Sequence, residues 1–330
     1  FLTLIPVVYK SDFNKIVASG KGTLEANYKG TYSDSTYPGF NINLSIANGS
    51  FKYPDLPKKI ENIDLNFIVD SKDGTMNHTV VNLNPCKFKI DNNPFQLQFN
   101  AKNLEYNPLL DAEVKGVLNL GSIKQALPLE TKFLDGVINA DFALLGSSSA
   151  IEQQSIEDLR MSGNVAISQL ALQTEVMDKK LEFKKALLSF NNATLNIPVL
   201  EAKWGNNDLN TSGYLDNIIG YLRQGSTLSG KLTASSKYLN LNDFLDKTSS
   251  REDTLVLETV RIPENIAIST NLSADQLFYD DYSFTNFKGI AQIENETLVL
   301  NNIYTDLWGG TAFLEGTYNS ASEQPQADFT

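Results

Sequence analysis

Few residues of this 330-residue chain have the type and spacing that bond-making chemistry needs. His78 is the single histidine, in Thr75-Met-Asn-His-Thr79, so a multi-histidine metal site is excluded by number and a Ser-His-Asp triad would have one base to draw on. Its place between two alternating segments reads as a surface turn. Cys86, in Asn84-Pro-Cys-Lys87, is the single cysteine and could act as a nucleophile only with a base beside it; it reads as the edge of a strand. One cysteine leaves neither a disulfide framework nor a thiolate metal site. The pair Asp280-Asp281 and the group Asp253, Glu258 and Glu264 invite an acid/base or calcium reading. Glycosidic cleavage needs two carboxyls facing each other across a sugar, and an EF-hand needs a fixed ligand loop; neither spacing is present, so these residues read as solvated turns. Gly20-Lys-Gly22 and Gly309-Gly310 lack the glycine spacing and the Lys-Ser/Thr ending of a phosphate loop. In strands, such glycines mark bulges and bends. No reaction emerges from these residues, and the expectation is a non-enzymatic protein with no metal and no cofactor.

The bulk properties narrow the partners. A net charge of −12 and a pI near 4.7 argue against nucleic acid, whose recognition needs a basic face, and against a polybasic contact with anionic membranes. No apolar run approaches the length of about eighteen residues that a spanning helix needs. The chain begins Phe1-Leu-Thr-Leu-Ile-Pro-Val-Val without an initiator Met and stops at Gln326-Ala-Asp-Phe-Thr330 inside what reads as a strand. The expectation is a fragment of a longer protein.

The elements that would position any functional side chain are strands. Phe95-Gln-Leu-Gln-Phe-Asn-Ala101, Ala112-Glu-Val-Lys-Gly-Val-Leu-Asn-Leu120, Leu228-Ser-Gly-Lys-Leu-Thr-Ala234 and Phe287-Lys-Gly-Ile-Ala-Gln-Ile293 alternate apolar with polar residues, which places every second side chain on one face. Asn48-Gly49, Asp73-Gly74, Asn92-Asn93-Pro94 and Asn206-Asn207-Asp208 read as the turns between them. Roughly fifteen or more strands follow on the spacing of all-β chains. Short helices are expected at Leu120–Leu127 and Leu239–Leu245, with a weaker one at Val7–Ile16. A loop is expected from Ser147-Ser-Ser-Ala150 through Glu152 to Asp158.

One strand pattern recurs at a period of about a hundred residues, which marks an array of β-units. Phe40-Asn-Ile-Asn-Leu-Ser-Ile46, Gly163-Asn-Val-Ala-Ile-Ser168 and Ile266-Ala-Ile-Ser-Thr-Asn-Leu272 each open a copy, and Trp204-Gly205 is echoed by Trp308-Gly309, as if packed equivalently. The corresponding division is an N-terminal segment 1–37, which continues from a missing upstream part, and β-repeat modules 38–150, 151–250 and 251–330. The expected fold is mainly β: repeated antiparallel units forming a long curved sheet or groove, with a few short helices. An apolar face of that size cannot stay in water at roughly 25 cal/mol per Å². Either a second sheet covers it, giving closed sandwiches, or the sheet curls into a trough that holds lipid chains.

Several segments resemble the AsmA-like proteins of Bacteroidetes: Gly20-Lys-Gly-Thr-Leu24 with Lys29-Gly-Thr-Tyr32; Tyr37-Pro-Gly-Phe40; Phe51-Lys-Tyr-Pro-Asp-Leu-Pro57 leading into Ile60-Glu-Asn-Ile63; and Gly230-Lys-Leu-Thr-Ala-Ser-Ser-Lys-Tyr-Leu-Asn-Leu-Asn-Asp-Phe-Leu245. The run from Leu298-Val-Leu300 through Gly309-Gly310 to Gly316 resembles the C-terminal repeat of that family, and the likeness extends from about Gly20 to Tyr318. The resemblance implies an envelope protein held in the inner membrane by an N-terminal helix, with its bulk in the periplasm. The family is similar to TamB and to bridge-like lipid transfer proteins, whose β-units form an apolar groove for phospholipid. On this reading the partner is phospholipid or another envelope lipid, besides envelope proteins, and the function is outer-membrane lipid homeostasis. The lipid-binding side chains would be alternating apolar positions such as Phe40, Ile42, Leu44, Leu65, Phe67, Leu97 and Phe99. The alternative is a non-catalytic scaffold of closed β-units that binds protein partners in outer-membrane assembly. A carbohydrate-active enzyme would need a convergent carboxylate pair that the sequence does not offer.

Overall fold

A computed structural model describes residues 16–33, 37–53, 56–127, 129–147, 160–191, 194–218, 220–221, 226–244 and 261–330. Those residues form seventeen strands. They are β1 (Val17–Lys29), β2 (Gly39–Lys52), β3 (Ile60–Ser71), β4 (Thr79–Ile90), β5 (Asn93–Lys102), β6 (Leu109–Asn119), β7 (Phe133–Ser147), β8 (Arg160–Gln173), β9 (Leu181–Asn191), β10 (Thr194–Trp204), β11 (Asn207–Asp216), β12 (Leu228–Asn240), β13 (Ile266–Tyr279), β14 (Tyr282–Glu294), β15 (Thr297–Leu307), β16 (Gly310–Asn319) and β17 (Gln326–Phe329). The protein is mainly β, and its mostly antiparallel sheet is open and curved. The chain falls into two compact units, one of residues 1–178 with 189–192 and the other of residues 179–188 with 193–330.

In the first unit β1 to β8 pair in sequence order, every pair antiparallel. Short connections make this the easiest order, because antiparallel neighbours need only a hairpin. One α-helix, α1 (Leu120–Ala126), interrupts the meander between β6 and β7. The Asn119 side chain accepts a hydrogen bond from the Ser122 N–H at 2.8 Å, which caps its first turn. The helix packs on β7 and on the ends of β4 and β6, and it buries Ser122 and Ala126. Lys58 ties the same corner together: its N–H donates to the Gln125 carbonyl at 3.1 Å, and its ammonium binds Asp91 and, at 3.0 Å, the Ser122 hydroxyl. That ammonium first, and then the Ser122 hydroxyl, hold the Asp91 carboxyl below the usual range.

In the second unit β9 pairs with β10, and β10 to β17 follow in sequence order. One pair departs from the meander: β12 and β13 are parallel, from Leu228 opposite Ile266 to Asn240 opposite Phe278. A parallel pair requires the chain to cross back over the length of the strands. The returning segment is pinned at Arg261, whose guanidinium donates to the carbonyl of Ser322 at 2.7 Å, and at buried Ile262, whose N–H donates to the Ser320 hydroxyl at 2.8 Å.

Several sequence expectations change here. The described part of the segment expected as a helix at Leu239–Leu245 does not match α1: Leu239 and Asn240 finish β12, Leu241–Asp243 make one 3-10 turn, and Leu245 lies outside the described residues. The two segments also make different connections, since α1 joins antiparallel strands and the 3-10 turn leads into the crossover. Asn48-Gly49 is not a hairpin turn but a bulge inside β2, with Asn48 at φ 49°. Asn93-Pro94 and Asn207-Asp208 begin strands, and the turns are Asp91-Asn92 and Gly205-Asn206. Ser147 ends β7 rather than opening a loop, and the rest of the loop expected up to Asp158, the helix expected at Val7–Ile16 apart from Ile16, and Asp253 and Glu258 lie outside the described residues.

Candidate functional site

Residues directly opposite each other on neighbouring strands put their side chains on the same face, so the register decides which residues share a surface. In the first unit Leu24, Leu44, Phe67, Leu83, Phe99, Ala112, Leu144 and Met161 stand opposite one another in turn, one from each strand. The next row is Gly22, Ile46, Leu65, Cys86, Leu97, Val114, Phe142 and Gly163, again without a polar side chain except the thiol. On the other side of the first row lie Ala26, Ile42, Val69, Val81, Ala101 and Leu110. The opposite face is polar: Ser45 pairs with Asn66, Gln98 with Glu113, and Asn41 donates to Asp70 at 2.9 Å.

All seven residues singled out from the sequence fall on this apolar face. Phe40, Ile42 and Leu44 come from β2, Leu65 and Phe67 from β3, and Leu97 and Phe99 from β5. Leu44 faces Phe67 and Ile46 faces Leu65, while β4 inserts Leu83 and Cys86 between β3 and β5. Sequence reasoning missed these two central contributors. Cys86 is not at a strand edge as expected; it lies in β4 between Leu65 and Leu97, and burial raises its thiol pKa.

Burial separates the two covers considered for such a face. In a sandwich the middle rows are the best-buried residues of the protein. Here Ile42, Leu44, Ile46, Leu65, Phe67, Val69, Leu83, Leu97, Phe99 and Val114 are all only half-buried. The buried apolar side chains among the described residues are twelve, six of them alanines. In this unit they lie towards the ends and the β8 side, at Ile90, Ala101, Ala126, Ala140, Met161 and Ala171. The second unit repeats the arrangement, with Leu195, Leu215, Gly230, Ile268, Ile293, Leu298 and Tyr318 in one row, none of them buried. Each unit thus carries an apolar surface of side chains that shield one another sideways and remain open above.

No family model, curated protein or solved structure matches the chain. Its site is therefore read from its own geometry.

Apart from Cys86, the described residues singled out for reactive side chains stand away from this surface. His78 sits exposed at the end of a 3-10 turn, with Nδ1 2.5 Å from Asp73. That bond is the main reason the Asp73 carboxyl is held down at about 2, with Thr75 adding two more hydrogen bonds. Asp280-Asp281 is a hairpin turn between Tyr279 and Tyr282, and Glu264 is exposed. Among the described residues no three His, Cys, Asp or Glu side chains gather as a metal site would require. On the polar face a depression is bordered by Asp64, Lys87, Gln96 and Lys115, and Lys115 is bound to Asp141 at 3.0 Å. The two tryptophans are not packed equivalently. Trp204 is half-buried against Phe244, with ring centroids 4.9 Å apart and the Lys179 ammonium 5.5 Å from its ring, whereas Trp308 is 83% exposed.

Proposed function

We propose that the apolar face of this chain binds the acyl chains of phospholipid or another envelope lipid, as a non-enzymatic segment of an AsmA-like, inner-membrane-anchored periplasmic protein in outer-membrane lipid homeostasis. The observation that supports it is the half-buried state of the central Leu, Ile, Val and Phe side chains in three consecutive apolar rows, two of which cross all eight strands of the first unit. A face with central Leu and Phe side chains open on one side gains free energy from any apolar occupant, and a flexible acyl chain can conform to an extended apolar surface. Neighbouring strands lie about 4.8 Å apart, so eight strands extend the rows over roughly 34 Å. That exceeds the acyl length of one leaflet, about half of a 30 Å hydrocarbon core. The binding would be passive, with headgroups left in water and no bond made or broken. The scaffold reading, in which closed units bind protein partners, would require these rows to be sealed.

Native mass spectrometry of the purified protein, followed by solvent extraction and lipid analysis, tests the proposal. Co-purifying phospholipid supports it. A clean unliganded mass that stays lipid-free after incubation with liposomes rejects it.

A further inference from the structure

Three hairpin turns of the second unit lie at one end of its strands: Gly205-Asn206 between β10 and β11, Asp280-Asp281 between β13 and β14, and Trp308-Gly309 between β15 and β16. That end carries an unusual share of the unit's aromatic surface. Trp308 is 83% exposed and Phe313 75%, and Phe244, Tyr279 and Tyr282 are exposed beside them. Tyr282 and Trp308 meet edge to face with centroids 5.7 Å apart, which links two neighbouring turns into one patch.

Trp308 occupies its position against the preference of the backbone. Leu307 pairs with Gly310, leaving Trp308-Gly309 as a two-residue loop with both residues at positive φ, 52° and 77°. Such loops favour Asn or Asp followed by Gly, because a large side chain crowds the backbone in the left-handed region. The described residues follow that rule elsewhere: nine of the twelve non-glycine residues at positive φ among them are Asn or Asp, and Trp308 is the only aromatic one. Packing does not explain the tryptophan, since most of its surface faces water. Strain kept at an exposed position points to function.

We infer that this end of the second unit seats in the headgroup layer of a bilayer of zwitterionic phospholipid. Tryptophan and tyrosine partition to that layer because one end of each ring system is apolar and the other hydrogen-bonds. The charges choose the lipid. The third turn is flanked by Lys203 and by Lys179, the latter paired with Asp243 at 2.6 Å, but the two linked turns around Trp308 contain Asp280 and Asp281 and no lysine or arginine, so an anionic surface would be repelled there. Carboxylates next to aromatic faces suit the cationic amine of a zwitterionic headgroup, which gains both a charge partner and a cation–π contact. This contact is separate from acyl binding along the strands and does not depend on it.

The test uses the Trp204→Phe protein, in which Trp308 is the sole tryptophan, titrated with phosphatidylcholine vesicles. The expected result is a blue shift of Trp308 emission with co-sedimentation, insensitive to added salt and weakened when phosphatidylglycerol is mixed in. In the wild-type background, Trp308→Asn should keep the thermal midpoint or raise it, since Asn suits the turn, and should weaken vesicle partitioning about tenfold or more. Its lipid content on extraction should be unchanged, whereas Phe67→Asp should leave vesicle partitioning unchanged. Absence of a shift at saturating vesicles, tighter binding to phosphatidylglycerol, or equal binding by Trp308→Asn overturns the inference. So does self-association of the protein that Trp308→Asn abolishes, which would make the patch a protein interface.

Discussion

Replacing Phe67 by Asp separates an open apolar face from a closed core by magnitude. Phe67 sits in the middle of β3 with Leu44 opposite on one side and Leu83 on the other, and it is half-buried. Fully burying a Phe side chain is worth about 1.5–3 kcal/mol, so losing a half-buried one costs about 1–2 kcal/mol. Exchanging a strand-favouring residue for Asp adds up to about 1 kcal/mol. The new carboxylate keeps water above it, so desolvation adds little. The sum is about 2–3 kcal/mol, which a domain with the usual 5–15 kcal/mol withstands. Inside a sandwich the same change would combine about 3–5 kcal/mol for the lost ring with several more for an unpaired buried charge, and the unit would not fold. Urea unfolding followed by circular dichroism reads the difference. The expected outcome is a lower midpoint at unchanged slope, with phospholipid lost from the folded protein by native mass spectrometry. An unfolded variant, or a folded one with undiminished lipid, refutes the reasoning.

Three further outcomes are expected. Gly163 adopts φ +126°, and a Cβ there would collide with the Asp141 carbonyl and lie 2.6 Å from Phe142 Cα, so Gly163→Ala should lower the thermal midpoint, by several degrees on the scale of a domain this size; an unchanged midpoint would show that the neighbouring strand yields. The Asp73 carboxyl, held at about 2 chiefly by His78, contributes stability that is present above pH 4 and lost as pH falls through 2; carboxyl titration by NMR should place its midpoint near 2 and move it upward in His78→Ala. Cys86, with its thiol pKa raised by burial and its side chain among the apolar rows, should be alkylated more slowly than a free thiol, and more slowly again once phospholipid is bound; a rate indifferent to lipid would count against occupation of that face.

The fold class was legible because alternation is a local signal: Phe95 to Ala101 or Leu228 to Ala234 needs no tertiary information to be read as a strand. The seven apolar positions share one surface for the same reason. What lay beyond the sequence was set at longer range. Whether Leu44 and Phe67 are sealed or open depends on whether anything stands above them, and period two is identical in both cases. The parallel β12–β13 pair was hidden because the pattern of a strand carries no direction. Trp204 and Trp308 share a Trp-Gly sequence, yet one packs against Phe244 and the other projects from its turn, a difference fixed by what stands beside each ring rather than by the dipeptide.

The departures from alternation carry the strongest argument that the face, rather than the single strand, is the unit that matters. At four places the apolar series steps by three residues instead of two: Ile46-Ala-Asn-Gly49, Leu83-Asn-Pro-Cys86, Ile197-Pro-Val-Leu200 and Leu300-Asn-Asn-Ile303. Read strictly, each step would throw the rest of its strand onto the polar side. At each of the four, the ladder shows a register shift at the same point, where three residues of one strand span two or fewer of its partner. The extra residue is absorbed as a bulge, and the apolar side chains return to the same face. A bulge also bends its strand and increases the local twist, so these insertions let the sheet curve without breaking its apolar rows. A sheet that must keep one uninterrupted apolar surface while it curves needs this compensation, and the Asn and Pro residues at these steps are the trace it leaves in the sequence.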